Sequence, residues 1–274
     1  MKYSIIIRCY NTLPLIKECV EAVMQSTGTD TEIILINNHP PYKDVIEYLE
    51  NLNDPRITVL DPGYNIGNLE GFNYGAERAN GENLIILDDD IIVPNNDWID
   101  IMFQTLCDFP NFAYVSLLCS HVESFLLSNR KDPKNKIIKK EKYTIQITPH
   151  IVIFGCIMLK KTLWKQYFSN IKLERIPLYD IDVHYGTIAN NIGMEAGYII
   201  SHFAKHLGRS KESDQLYGAW KILYVCDLTL EDYVGWRNNK KTLTQIEEST
   251  LKKYGYNDVL IDYLKDKIKD SLIL

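Results

Sequence analysis

The stretch Leu84-Ile85-Ile86-Leu87-Asp88-Asp89-Asp90-Ile91-Ile92-Val93-Pro94 sets three adjacent carboxylates between two apolar blocks, with no basic residue in the run. An apolar block that ends in charge reads as a buried strand reaching a crevice. Strands covered on both faces are near-continuous apolar runs, and open α/β sheets bind ligands outside the carboxyl ends of their strands. If Leu87 faces the core, alternation puts Asp88 and Asp90 on one side and Asp89 on the other, where it points away or braces the loop. Two carboxylates on one side form a hard-oxygen site suited to Mg or Mn. A solvated turn or a helix cap also uses Asp. Here Ile91-Ile92-Val93 resumes the apolar pattern at once, so the carboxylates sit in a pinch of the fold. Without a cation, repulsion and desolvation there would raise at least one pKa.

On the N-terminal side, β-branched runs at residues 3–8, 32–37, 57–60 and 83–87 alternate with helical patterns behind Thr12 and Pro14 and behind Pro41. That alternation predicts a βαβαβαβ order and a largely parallel sheet. On the C-terminal side a helix is expected over 95–108. Strand-like runs follow at 112–118, 122–127, 143–147 and 151–159 with no helical pattern between them, predicting a mixed, partly antiparallel extension. The Lys- and Arg-rich segment 129–142 reads as an exposed connection, with contact to an anionic acceptor or lipid surface as the alternative. From Lys211 the pattern is helical. Leu216, Tyr217, Trp220, Leu223 and Tyr224 form a stripe that reads as packing against the main body. The amphipathic segment 256–274 leaves three partners open: the core, a second subunit in a homodimer, or a membrane surface.

With 274 residues, 46% of them hydrophobic, the chain can bury a large core, and a net charge of −6 gives no global basic field for nucleic acid. Six scattered cysteines, none in a Cys-x-x-Cys pair, read as reduced core residues. The apolar run Ile5-Ile6-Ile7 is too short for a signal peptide, and no later run has the length of a membrane span. The expectation is a soluble cytoplasmic protein, with peripheral contact at the inner membrane surface as the alternative.

The approach to the carboxylates contains Asn65-x-Gly67, then Asn73-x-Gly75, Ala79-x-Gly81 and Asp88-Asp89-Asp90. Asn65 is expected to cap a helix, Gly75 to let it pack closely, and Gly81 to end it. This run resembles the family 2 glycosyltransferases of GT-A fold, whose pattern is two Asn-x-Gly elements, Ala-x-Gly and a strand ending in Asp-x-Asp. The resemblance covers roughly the first 210 residues. Residues 4–11 resemble the family's first strand and nucleotide-facing loop, and 154–159 its Gly-rich acceptor-side strand. Tyr179-Asp180-Ile181-Asp182 resembles the base motif, and His206-Leu207-Gly208-Arg209-Ser210 the C-terminal His-x-x-Gly-x-Ser.

The resemblance implies an α/β GT-A fold, with a Rossmann-like nucleotide-binding half and a mixed central sheet, plus a C-terminal helical segment. Its domains would be 1–210 (a nucleotide-sugar half, 1–94, and an acceptor-side half, 95–210) and a helical extension, 211–274. It implies an inverting transferase moving a hexose from a nucleotide-diphosphate sugar, UDP in the first place, to a glycan, glycolipid or glycoprotein. The metal, Mn or Mg, would be held by Asp90, Asp88 and His206, with His202 as the alternative histidine and His184 structural. Asp180 would be the general base, with Asp182 as the alternative. Cys9, Tyr10, Asn11, Asn37, Asn38, Asn65, Gly67, Asn73, Asp88 and Asp89 would line the nucleotide-sugar site, and Gly155 and Cys156 the acceptor side. The chain departs from the family where Asn37-Asn38-His39 replaces the Asp that reads uracil, and where Tyr179 replaces an acid.

Three other readings compete. An Asp-x-Asp phosphotransferase would carry its motif after the first strand, where Arg8-Cys9-Tyr10-Asn11 stands. A dinucleotide dehydrogenase would need Gly-x-Gly-x-x-Gly there. A non-catalytic glycan-binding or assembly subunit has no need of both a metal site and a base.

Overall fold

The computed structural model describes residues 1–40, 43–64, 66–95, 97–120, 122, 135–148, 152–170 and 181–208. They belong to Met1–Gly208, one of two compact units into which the chain divides, the other being Arg209–Leu274. The helical extension expected over 211–274 lies outside the described residues, as does Asn65.

The first half alternates strand and helix: β1 (Tyr3–Cys9), α1 (Leu13–Ser26), β2 (Thr31–Asn37), α2 (Lys43–Glu50), β3 (Ile57–Leu60), α3 (Asn68–Arg78) and β4 (Asn83–Asp88). All four strands run parallel in the order β3-β2-β1-β4. Ile5, Ile6 and Ile7 of β1 and Ile33 to Ile36 of β2 are buried, as a sheet covered on both faces requires. Pro14 lies in the first turn of α1, where its missing N–H costs nothing, and the helix buries Ile16, Cys19, Val20 and Val23.

Helix α3 lies very close to the sheet. A Cβ on Gly75 would stand 2.6 Å from Ile6 Cγ2 and 3.3 Å from Ile36 Cδ1, so only glycine fits. Its N-cap is Gly67, at φ 87°, with no side-chain cap. The helix stops at Arg78, before Gly81. Gly81 answers a different need from helix termination: its Cβ would meet the β1 backbone, 2.6 Å from Ser4 N and from Tyr3 C.

Beyond β4 come β5 (Ile91–Ile92), α4 (Trp98–Asp108), β6 (Phe112–Cys119), β7 (Lys136–Lys139), β8 (Thr144–Thr148) and β9 (Cys156–Lys160). A short helix α5 (Lys161–Leu163) runs into a π-helical turn, Trp164–Phe168, followed by α6 (Ile181–Asn191) and β10 (Glu195–His206). Among the described residues the sheet has ten strands and continues β4-β9-β6-β10-β8-β7, with β5 paired to β10. Here the directions are mixed: β9 is antiparallel to β4 and β6, and β10 is parallel to β6 but antiparallel to β8.

Four details depart from the sequence expectation. The connection expected over 129–142 contains β7, a sheet-edge strand paired to β8. Ser120 and Val122 are helical where a strand was expected to start at Val122. Strand β9 begins at Cys156, after a non-strand stretch at 152–155. The twelve-residue β10 is an addition. Its apolar pattern is broken by Ser201, His202 and Lys205, and register shifts at Glu195/Ala196 and Ile199/Phe203 let one strand serve several neighbours. No helix among the described residues is long and apolar enough to cross a membrane.

Candidate active site

Cys9 is in register with Asn37 on β2, and Arg8 with Asp88 on β4, so three strand tips end at one level. This is the end of a parallel sheet at which ligands bind. The Asp88 N–H donates to Gly155 O at 2.9 Å, which ties the tip of β4 to the start of β9. Burial pushes the Asp88 carboxyl up to about 7, the charges of Asp90, Asp89 and Asp182 add to the effect, and Arg8 opposes it. Arg8 is therefore a cation beside the carboxylates that their own run lacks. Its guanidinium carbon lies 5.4 Å from the Phe72 ring centroid, and its buried Nε has no hydrogen-bond partner.

The next two carboxylates are used differently. Asp89 is 3% exposed. Its Oδ2 accepts the Tyr10 and Asn11 N–H groups at 2.7 and 2.8 Å, and its Oδ1 accepts Asn11 Nδ2 at 2.5 Å. It fastens the loop after β1. Burial and the Asp90 charge push its pKa upward, against Arg8 and the loop donors. Asp90 instead meets the far half of the sheet: its Oδ2 lies 3.2 Å from His206 Nε2. Pairing of β5 with β10 sets His206 opposite Ile91, Leu207 N–H donates to Asp90 O at 2.8 Å, and Ser120 Oγ accepts the His206 N–H at 2.8 Å.

At 3.2 Å the two side chains stand at ion-pair distance, and two ligands about 2.1 Å from one cation, at right angles, would stand about 3.0 Å apart. Among the described residues no group of three His, Cys, Asp or Glu side chains could hold one. Asp90 and His206 are two donors that could hold a cation whose other ligands come from water and substrate oxygens, as in Mg and Mn sites. His202 pairs with Asp97, its Nε2 3.5 Å from Oδ1, and its Nδ1 lies 3.0 Å from Ser201 Oγ.

Asp182 sits in the first turn of α6, close enough for its charge to act on Asp88, Tyr114 and Tyr198. Asp180 lies outside the described residues. The Cys9 and Cys156 thiols are fully buried, and burial keeps both protonated, so these residues offer the cleft only backbone. Asn73 Oδ1 accepts Trp164 Nε1 at 3.2 Å, joining α3 to the π turn. Asn38 Oδ1 accepts the Ile66 N–H, and its Nδ2 donates to Gly67 O. Asn37 Nδ2 donates to Asp61 Oδ2 at 3.1 Å. Arg8 and Ser120 stand beside these residues and were not among the expected site residues. Only Arg8, a charge inside an apolar strand, carried a local signal.

The model of glycosyl transferase family 2 matches residues 4–168. The chain belongs to that family. A glycosyltransferase of Bacillus subtilis, EpsJ, is 34% identical over 108 residues, which is 38% of this chain and 29% of EpsJ. Matched stretches span between 29% and 66% of the curated relatives' own length. Among solved structures, the mannosyltransferase PcManGT from Pyrobaculum calidifontis, in complex with GDP-Man and Mn2+, has a TM-score of 0.59 at 15% identity, covering 99% of this chain and 80% of that one. GalNAc-T7 with UDP, GalNAc and Mn2+ has a TM-score of 0.59 at 13% identity, covering 90% and 53%. At such identities the likeness concerns the fold, which is GT-A.

Proposed function

We propose that the chain is a metal-dependent, inverting glycosyltransferase that moves a hexose from a UDP-sugar to a glycan, glycolipid or glycoprotein acceptor. The observation that carries this reading is the 3.2 Å approach of Asp90 and His206 at the tip of β4, beside a crevice formed by parallel strands. A diphosphate at that tip has two directions open to it. The nucleoside lies along the tips of β1 and β2, and the sugar lies toward Asp88, Gly155 and the start of α6. Mn or Mg, held by Asp90 and His206 with Asp88 in support, would supply Lewis-acid stabilisation of the departing diphosphate. The two solved neighbours, one holding Mn2+ with UDP and GalNAc and the other Mn2+ with GDP-Man, support such a site.

Asp180 takes the proton of the acceptor hydroxyl as its oxygen attacks the anomeric carbon, with Asp182 as the alternative base. The new C–O bond forms as the bond to the diphosphate breaks on the opposite face, which inverts the anomeric centre. Asp89 and Asn11 hold the loop that closes the nucleotide side.

The test is transfer or hydrolysis of UDP-sugars with Mn. Asp90→Ala should lower kcat/KM by about 10³-fold, and Asp180→Asn or Asp182→Asn, whichever is the base, by a similar factor with nucleotide binding retained. A wild type that binds nucleotide and metal yet turns over no nucleotide sugar would point to a glycan-binding or assembly role instead.

A further inference from the structure

We infer that His39, oriented by Asp61, reads the uracil ring of the donor through the lone pair of its Nδ1. The inference rests on the proposed UDP-sugar reading and adds to it the residues that select the base.

Neighbouring strands are about 4.8 Å apart, so the tips of β2 and β3 lie roughly 10–14 Å from the tip of β4. A nucleotide with its diphosphate at Asp90 and its ribose across β1 therefore places its base over β2 and β3. The amides expected to meet it are committed elsewhere. Asn38 holds Ile66 N–H at 3.0 Å and Gly67 O at 3.4 Å. Asn37 donates to Asp61 at 3.1 Å and accepts the His39 N–H at 3.2 Å.

His39 remains. Its backbone is left-handed, at φ 52°, and its side chain is 36% exposed. Nε2 lies 2.8 Å from Asp61 Oδ1, which also accepts the Gly63 N–H at 2.7 Å. Burial would raise the Asp61 pKa, but the Gly63 N–H and the His39 ring outweigh it and hold the carboxyl below its usual range. An ionised carboxylate only accepts, so in the neutral form of the ring the proton sits on Nε2 and Nδ1 presents a lone pair, the form in which the ring can accept. Among the described residues nothing bonds to that nitrogen.

One acceptor suits one ring N–H. Uracil offers a single imide N–H between two carbonyls. Cytosine and adenine have no ring N–H on that edge. Guanine sets an amino group beside its ring N–H and needs a second acceptor, whereas Asp61 Oδ1 already takes two donors.

Calorimetric titration of the full chain with UDP, CDP, GDP and inorganic diphosphate, each with Mn, tests this. The wild type should prefer UDP over CDP and GDP by about tenfold or more. His39→Ala should lose about tenfold in UDP affinity and bring the three nucleotides close together, with diphosphate binding unchanged. His39→Asn keeps an oxygen acceptor near the Nδ1 position and tolerates the left-handed backbone, so it should retain most of the preference. Asp61→Asn, which no longer fixes the tautomer, should fall between. An unchanged UDP-to-CDP ratio in His39→Ala, or a wild type that prefers GDP, overturns the inference. A wild type that binds no nucleoside diphosphate at all overturns the UDP-sugar reading itself.

Discussion

The parallel half of the sheet and the mixed half reach the cleft by different routes and bring different things to it. In β3-β2-β1-β4 each strand returns through a helix, so every tip arrives at the same end and its polar residues meet the next loop. Most become fastenings: Asp89 holds Tyr10 and Asn11, and Asn38 holds Ile66 and Gly67. In the mixed half β9 and β8 run the other way, and β6 and β10 carry side chains to the cleft. Those side chains arrive from far along the chain, as His206 does beside Asp90. The parallel half is thus a frame for a ligand, and the mixed half adds a group that can react or coordinate.

Matched glycine substitutions at the two halves sharpen the difference. In Gly81→Ala the new methyl would meet the β1 backbone at 2.6 Å, and in Gly197→Ala it would meet Gln146 O at 2.7 Å. Gly81 lies against a central strand that cannot yield. Urea unfolding should show a loss of about 3 kcal/mol or more there, against about 2 kcal/mol for Gly197, whose partner β8 lies near the sheet edge. Equal losses would contradict a rigid parallel frame.

Adjacent carboxylates separate the two roles more finely. Asp89→Asn leaves buried N–H donors facing an amide that cannot accept them all, and should cost about 2 kcal/mol of stability. Its activity below the unfolding range should fall far less than that of Asp90→Asn. Comparable activity losses at both positions would sink the division into brace and ligand.

The last contrast concerns Asp88 and pH. Its folded pKa of about 7 exceeds the unfolded value of 3.8, so between those values the folded state keeps a proton that the unfolded state has released. Stability of the metal-free protein should therefore fall as pH rises from about 4 to about 7. Asp88→Asn should flatten that slope in thermal unfolding followed across the range.

Much of the parallel half is legible in the sequence, because its information is local: an apolar run, a helical period, a glycine where elements close. Asp88 to Asp90 and His206 stand out for the same reason, each in a short pattern. Contacts set by register are invisible to such a reading. Arg8 offsets part of the carboxylates' charge only because β1 and β4 pair with Arg8 opposite Asp88. His39 and Asp61 are 22 residues apart and meet because β2 and β3 end side by side. Asn73 reads as a family position, yet its side chain is taken by Trp164, 91 residues on. Strand β10 escapes because its polar outward positions break the apolar run that marks a buried strand.

The central claim is that Asp90 and His206 hold a cation that in turn holds a nucleotide diphosphate. Its most direct test is the unfolding midpoint with UDP alone, Mn alone and both together, in the wild type, Asp90→Asn and His206→Ala. The expected result is a rise in the wild type only when UDP and Mn are both present, lost in both variants. A rise with UDP alone equal to that with UDP and Mn, or an undiminished rise in Asp90→Asn, would contradict it.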